Sequence, residues 1–164
     1  MTRGHGWIFL DFGRRVERTI GLTQLLRAVA EAGDTTERLL EPALEISDSV
    51  MTYRRRYFTE PSLPGVLELL ILDATNPRSL AFQIERIEQH VCELPDGTHR
   101  DGVAGLRRRV DELGRRLREF EQRGFELISL AEAADLLEQV IIEMGGISEL
   151  LTQVFFSHVT PQVN

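Results

Sequence analysis

The chain has 164 residues and a formal charge of −7, since 26 acidic residues outnumber 19 basic ones. That length provides one domain with its own core, and the negative charge argues against nucleic acid or an anionic membrane surface as a partner. Every basic residue is arginine, which excludes mechanisms that need a lysine amine. The single cysteine, Cys92, cannot form a disulfide within the chain. No apolar stretch approaches the roughly 20 residues that cross a bilayer, and there is no secretory signal, so we expect a cytoplasmic protein.

Helix-forming residues dominate nearly the whole sequence, and we identify no strands. The loops are short, which places neighbouring helices antiparallel to each other. The sequence therefore predicts one all-α domain over residues 1–164, built as an antiparallel helical bundle of about five to six helices.

Two helices are predicted in the first third of the chain. Helical periodicity runs from residue 6 to residue 32, where Gly33 provides a stop. The main second helix is predicted over residues 41–58, because Pro42 is tolerated in a first helical turn and not deep inside a helix. Residues 34–40 would then form a linker or a short turn of helix.

The middle of the chain predicts one short helix and one amphipathic helix. Residues 66–72 are nearly all apolar, which indicates a short helix that is buried. Asn76 followed by Pro77 predicts an N-cap and a first helical position, and this helix reaches about residue 94.

The last third predicts two long helices. A turn cluster at residues 95–99 precedes a helix whose apolar residues recur at spacings of four and three over 106–120, as in a bundle seam. Gly124 ends that helix. Ser129 and Glu132 make a capping box that begins the last helix.

Charged residues fall within the predicted apolar faces. When the first helix is projected at 100° per residue, its apolar arc contains Asp11, Arg14 and Arg18. The arc of the second helix contains Ser47 and Arg54. Burying a guanidinium costs several kcal/mol unless it is paired, so these arginines predict either a bound anion or an internal ion-pair network.

Both interpretations remain open on the sequence alone. The three inward arginines have one carboxylate among them, Asp11, and the excess positive charge favours an anion such as phosphate or carboxylate. Arg78 could join them, since it follows the predicted cap Asn76 at a helix N-terminus. In the alternative, Asp11 with Glu17 or Asp48 neutralises the arginines in purely structural pairs.

Histidine and tyrosine residues offer further candidates. His5 lies between two glycines just ahead of the charged residues and is the best general acid or base, with an exposed or capping role as the alternative. Tyr53 and Tyr57 flank the arginines at residues 54–56, where stacking of arginine on tyrosine competes with a basic cluster at a helix end. His90 is interpreted as a satisfied histidine at the core edge. No metal site is predicted.

Several motifs in order resemble the bacterial alpha-E domain family. They are MTRGHGW at residues 1–7, GRRVER at 13–18, DS and TYRRRY within 48–57, DATNPRSLAFQ at 73–83 and FFSH at 155–158. The resemblance covers essentially the whole chain and corresponds to the C-terminal half of the family. Members are about twice this long. Because their N-terminal half carries a related helix, a second copy could supply the missing half.

The resemblance indicates which proteins accompany members of the family, but it does not identify a reaction. Alpha-E proteins are all-helical, lack an established biochemical function, and are often fused to or encoded beside a circularly permuted ATP-grasp ligase-like protein and a transglutaminase-like protein. That setting suggests ATP-dependent formation of peptide or amide bonds, with ATP and magnesium bound by the partner ligase and no cofactor bound directly by this chain. The family's motif residues fall on the arginines singled out above, namely Arg14, Arg18, Arg54 and Arg78.

Three functions follow as hypotheses. The preferred one is a non-catalytic helical partner module of an ATP-grasp-type ligase, with an anion-binding cleft formed by the four arginines. The supporting residues would be Asp11, Glu17, Ser47, Asp48, Tyr53, Tyr57 and Asn76. The second is an enzyme that uses His5 as acid or base, and the third is a helical dimerisation scaffold with structural ion pairs. Unpaired apolar faces predict a homodimer.

Overall fold

The fold consists of helices throughout the part of the chain that the computed structural model describes, residues 5–33, 36–95, 100–124 and 129–156. These residues contain seven α-helices and no strand, which confirms the all-α prediction. The helices are α1 (His5–Glu31), α2 (Thr36–Ile46), α3 (Val50–Tyr57), α4 (Leu63–Leu67), α5 (Leu80–Glu93), α6 (Arg100–Arg123) and α7 (Leu130–Phe155). A π-helical turn, Glu68–Leu72, continues directly from α4.

Four long helices form the bundle. α1 packs between α5 and α7, and α6 closes the ring on the other side. The predicted seam of α6 is confirmed, because Leu106, Val110, Leu113 and Leu117 are all buried. The Ser129–Glu132 capping box at the start of α7 is also present. None of the described helices has the length and hydrophobicity that crossing a bilayer demands.

The predicted helix over residues 41–58 is wrong, because the structure has two helices there. α2 begins at Thr36 and contains Pro42 in its interior. Pro42 is exposed, so the carbonyl that loses its N–H partner can be hydrated. The break before α3 comes from a serine and aspartate turn. Asp48 has a left-handed φ of 52°, and the Ser47 hydroxyl donates to the Leu44 carbonyl.

The predicted start of α5 is three residues early. Ser79 is the N-cap, and its hydroxyl oxygen accepts the Phe82 N–H at 3.0 Å. Asn76 lies instead in the preceding turn, where its side-chain oxygen accepts the Arg78 N–H at 3.1 Å. Its amide nitrogen donates to the Leu69 carbonyl in the π-helical turn at 3.3 Å. Asn76 is therefore tied to the core beneath it and does not cap α5.

The segment from α4 to the π-helical turn confirms the predicted buried helix. Its apolar residues at positions 66, 67 and 69–72 are almost completely inaccessible to solvent, and Tyr53 of α3 covers them. The Tyr53 hydroxyl accepts the Ser62 N–H at 3.0 Å. Gly65 allows this close approach, because a Cβ there would lie 2.7 Å from the Tyr53 hydroxyl oxygen.

Gly65→Ala should therefore destabilise the fold by about 1–3 kcal/mol, since the rigid Tyr53 ring would have to move. Gly13→Ala is the matched control, because a Cβ at this exposed position in α1 meets nothing within 4 Å. Alanine there should stabilise α1 by up to about 1 kcal/mol through helix propensity. Chemical denaturation measures both values. Equal stability of Gly65→Ala and the parent would refute the close-packing argument.

Candidate functional site

The four predicted site arginines are exposed, so the prediction that they face the interior is wrong. Arg14 and Arg18 lie on the solvent side of α1. Arg54 pairs with Glu41 at 2.9 Å, and both side chains are more than half exposed. Arg78 pairs with the exposed Asp48 at 2.6 Å.

Two buried threonines explain this error. The buried face of α1 follows the spacing 12, 16, 19, 23, 26 and 30, and Thr19 and Thr23 are completely buried within it. Their hydroxyls donate to the carbonyls four residues earlier, at 2.8 and 2.6 Å, so they need no other partner. Because these two threonines make the buried face of α1 look less apolar in the sequence, the helical projection selected a neighbouring face, which contains Arg14 and Arg18, as the apolar one.

Four of the predicted residues nonetheless meet at one groove, which we name the arginine groove. It has a volume of about 490 Å³ and lies between α1, the turn after α2 and the segment before α5. Its lining consists of Arg18, Gly21, Leu22, Leu25, Ile46, Ser47, Asp48, Arg78 and Gln83.

The arginine groove carries an excess of positive charge. Asp48 neutralises Arg78, whose Nη2 donates to the Asp48 carboxylate at 2.6 Å. Arg18 makes no ion pair with any residue that the structure describes. Two arginines and one carboxylate therefore leave one positive charge in a groove that also has apolar walls.

The remaining predicted residues lie elsewhere. Glu17 lines a different groove, against α7. Tyr53 and Asn76 are buried and hold the α4 segment in place. Tyr57 is half-buried, and its burial together with the charge of Glu68 raises the pKa of its hydroxyl to about 12. His5 begins α1, but its side chain is outside the described part of the structure.

The predicted stacking of arginine on tyrosine is present at Arg56. Its guanidinium carbon lies 5.6 Å from the centre of the Tyr57 ring. Arg56 also donates to the buried carboxylate of Asp73 at 2.5 Å. This contact joins α3 to the end of the π-helical turn and is part of the fold.

A polar cluster between α1 and α5 was missed by the sequence analysis. It consists of Asp11, Arg15, Gln83 and His90, and we name it the α1–α5 polar cluster. His90 Nε2 lies 2.7 Å from an Asp11 carboxylate oxygen, and Arg15 Nε donates to the same oxygen at 3.2 Å. Arg15 also donates to the Gln83 side-chain oxygen at 3.1 Å, and Gln83 donates to the Pro77 carbonyl at 2.6 Å.

These contacts set the ionisation of Asp11. Partial burial alone would raise the pKa of Asp11, but hydrogen bonds from His90 and Arg15 outweigh it, so the pKa lies below its ordinary value. His90 is buried at the core edge, as predicted, but it is satisfied only at Nε2, because its Nδ1 is buried without a hydrogen-bond partner among the described residues. The i,i+4 spacing of Asp11 and Arg15 was a visible signal of their pairing, but the sequence had no signal for a contact between two residues, Asp11 and His90, that are 79 positions apart.

A second groove lies over this cluster, and we name it the aromatic groove. Its volume is about 520 Å³, and α1 and α5 form its two walls. It is lined by Trp7, Ile8, Asp11, Arg15, Phe82, Arg86, Gln89, His90 and Glu93. The Arg15–Gln83 hydrogen bond joins a residue of this groove to a residue of the arginine groove.

The chain matches the model of a known protein family. A family model described as a predicted alpha-helical domain with a conserved ER motif matches residues 1–156. The chain belongs to the Alpha-E family. Its Glu-Arg dipeptides are at residues 17–18, 37–38 and 85–86. Arg18 of the first dipeptide lines the arginine groove, and Arg86 of the third dipeptide lines the aromatic groove.

Relatives of this Alpha-E chain include uncharacterized proteins from two strains of Mycobacterium tuberculosis and from Mycobacterium bovis. Each is 33% identical to it over 159 residues. The alignments cover 93% of this chain and 18% of each relative, so the chain spans less than a fifth of their length. No solved structure matches it.

Asp11→Asn should lower the free energy of unfolding by about 1–3 kcal/mol at pH 7, because it weakens charge-assisted hydrogen bonds to His90 and Arg15. Since the folded-state pKa of Asp11 is lowered, its stabilisation is present above the unfolded pKa and is lost as pH falls below about 4. Denaturation curves at several pH values should therefore show the parent and variant converging in acid.

Asp48→Asn is the control for this pH series, because the Asp48 side chain is 78% exposed and pairs with an exposed arginine. It should change stability by less than about 1 kcal/mol at any pH. A constant difference between Asp11→Asn and the parent from pH 7 to pH 3 would contradict the assigned role of the Asp11 charge.

Proposed function

We propose that this Alpha-E chain is a non-catalytic helical binding module whose arginine groove holds an anionic group of a substrate. The observation that supports this most is Arg18, an arginine without an ion-pair partner among the described residues, beside the oriented guanidinium of Arg78. A guanidinium binds carboxylate or phosphate through two parallel hydrogen bonds.

The surroundings of the two arginines suit an anion. Asp48 fixes one edge of the Arg78 guanidinium, which reduces the entropy lost when another group binds. Leu22, Leu25 and Ile46 line the same groove and offer an apolar surface to the part of a substrate that carries the anion. The groove concentrates positive charge on a protein whose formal charge is −7, so recognition depends on this local site.

Catalysis is assigned to a partner in this proposal. The family resemblance suggests an ATP-grasp-type ligase that binds ATP and magnesium, with a transglutaminase-like protein as a further partner. The chain would present an anionic substrate to that ligase and would act as a homodimer in the cytoplasm. Nucleic acid and membranes are not proposed partners, because the net charge disfavours both.

The alternative is an enzyme in its own right that uses His5 as acid or base, and the His5 side chain lies outside the part of the chain that the structure describes. It requires an imidazole that a ligand can reach. His90 has a carboxylate partner in Asp11, but its side chain is only 8% exposed and its other ring nitrogen, Nδ1, is buried. His90 therefore suits a role in holding α1 against α5 better than proton transfer to a ligand.

Arg18→Gln tests the anion site, with Arg14→Gln as the matched control. Both arginines are exposed on α1, but only Arg18 lines the arginine groove. Isothermal titration with inorganic phosphate and with a hexaglutamate peptide should show binding to the parent that weakens about tenfold in Arg18→Gln, because one charge-assisted contact is lost. Arg14→Gln should bind as the parent does.

Equal weakening in the two variants would attribute the binding to general surface charge and would overturn the site. The site would also be overturned if neither phosphate nor hexaglutamate bound at low ionic strength, where attraction between charges is strongest.

A further inference from the structure

The aromatic groove has features of a ligand site that the proposed function does not use. Ligand pockets combine apolar and aromatic walls with a few oriented polar groups. Here Trp7 and Phe82 supply the aromatic walls, and Arg86 supplies a guanidinium. The α1–α5 polar cluster forms the rigid support beneath, since Asp11, Arg15 and His90 also line the groove.

We propose that the aromatic groove binds a carboxylate carried by an aromatic group. Arg86 would bind the carboxylate and Trp7 would contact the aromatic ring. The site is separate from the arginine groove, so it does not depend on the function proposed above.

Arg86 is prepared for a carboxylate. Its guanidinium carbon lies 5.0 Å from the centre of the Phe82 ring, and its Nη1 donates to the Gln89 side chain at 2.6 Å. These contacts fix the plane of the guanidinium. No described carboxylate forms an ion pair with Arg86, so its remaining donors are available for a ligand. Arg15, by contrast, is already neutralised by Asp11.

Trp7 and Phe82 are the two aromatic side chains that line the groove. Phe82 has the guanidinium groups of Arg86 and Arg15 over it, the latter at 5.8 Å. The Trp7 ring centre is 5.6 Å from that of His90, which places Trp7 one helical turn along α5 from Arg86. The four residues from Arg86 to His90 span about 6 Å along the helix axis, which suits a carboxylate separated from its ring by a short aliphatic link.

The charge of the groove selects a singly charged ligand. Glu93 lines the same wall as Arg86, and Asp11 lies at the floor. Two arginines and two carboxylates line the groove, so it has no excess charge. Arg86 can bind one carboxylate, and the repulsion from Glu93 is greater for a dianion than for a single negative charge. The groove therefore favours a carboxylate over a phosphate dianion.

Fluorescence of Trp7 tests this proposal, because Trp7 is the single tryptophan of the chain. N-acetyl-phenylalanine should cause a saturable change in Trp7 emission. Its neutral amide and phenyl phosphate should bind at least about tenfold more weakly, the first for lack of charge and the second because it is a dianion. Equal responses to the acid and the amide in the parent protein would overturn the proposal.

Arg86→Gln should weaken binding of N-acetyl-phenylalanine about tenfold. Arg38→Gln is the control, because Arg38 is exposed on α2 and lines neither groove, and it should bind as the parent does. Circular dichroism checks that both variants are folded. Unchanged binding in Arg86→Gln, or equal loss in Arg38→Gln, would overturn the assignment of the carboxylate to Arg86.

The same titration distinguishes two sources of an aromatic carboxylate, the C-terminus of a polypeptide and a small aromatic acid. A tetrapeptide that ends in phenylalanine with a free carboxylate should bind more tightly than N-acetyl-phenylalanine if the natural ligand is a polypeptide C-terminus. Equal affinity would indicate a small aromatic acid. Either result supports the proposal, whereas failure of both acids to bind would overturn it.

Discussion

Asp11 is the residue through which α1 and α5 are fixed to each other. Its side chain is only 13% exposed, and a carboxylate that has lost most of its water must find partners within the protein. It finds one on its own helix in Arg15 and one across the interface in His90. The His90–Asp11 contact and the Arg15–Gln83 hydrogen bond both cross from α1 to α5. Because they are directional, they set the register of the two helices as well as their separation.

Both grooves depend on that register. Trp7 lies one turn before Asp11 on α1 and meets His90, whereas Arg18 lies two turns after Asp11 and faces Arg78 across the arginine groove. A displacement of α1 by one residue would rotate these side chains by about 100° and separate the members of each groove. Stability and the placement of candidate binding groups therefore have the same physical origin.

The long helices could be predicted from the sequence because their signals are local. The seam of α6, the capping box of α7 and the stop at Gly33 each depend on residues within a turn or two. Two local patterns were ambiguous. Pro42 suggested a helix start, but it lies inside α2, where it is tolerated because that face is solvated. Asn76 beside Pro77 has the sequence of a helix cap, but its side chain is hydrogen-bonded to the buried Leu69 carbonyl instead.

The candidate site was predictable only in part, because its key contacts join distant segments. Arg18, Ser47, Asp48 and Arg78 do meet, although they do so at a solvent-accessible groove and not in the core. Thr19 misled the helical projection, since a threonine bonded to its own helix can be buried as an apolar residue would be. A single sequence contains no comparable signal for the contact of His90 with Asp11.

A double-mutant cycle tests the central role of Asp11 most directly. Asp11→Asn removes the charge, His90→Phe removes the cross-helix hydrogen bond while retaining a ring beside Trp7, and the double variant completes the cycle. The free energies of unfolding at pH 7 should reveal a favourable coupling of about 1–2 kcal/mol between the two residues. Additivity within about 0.3 kcal/mol would contradict the account, because it would mean that the contact does not hold α1 against α5.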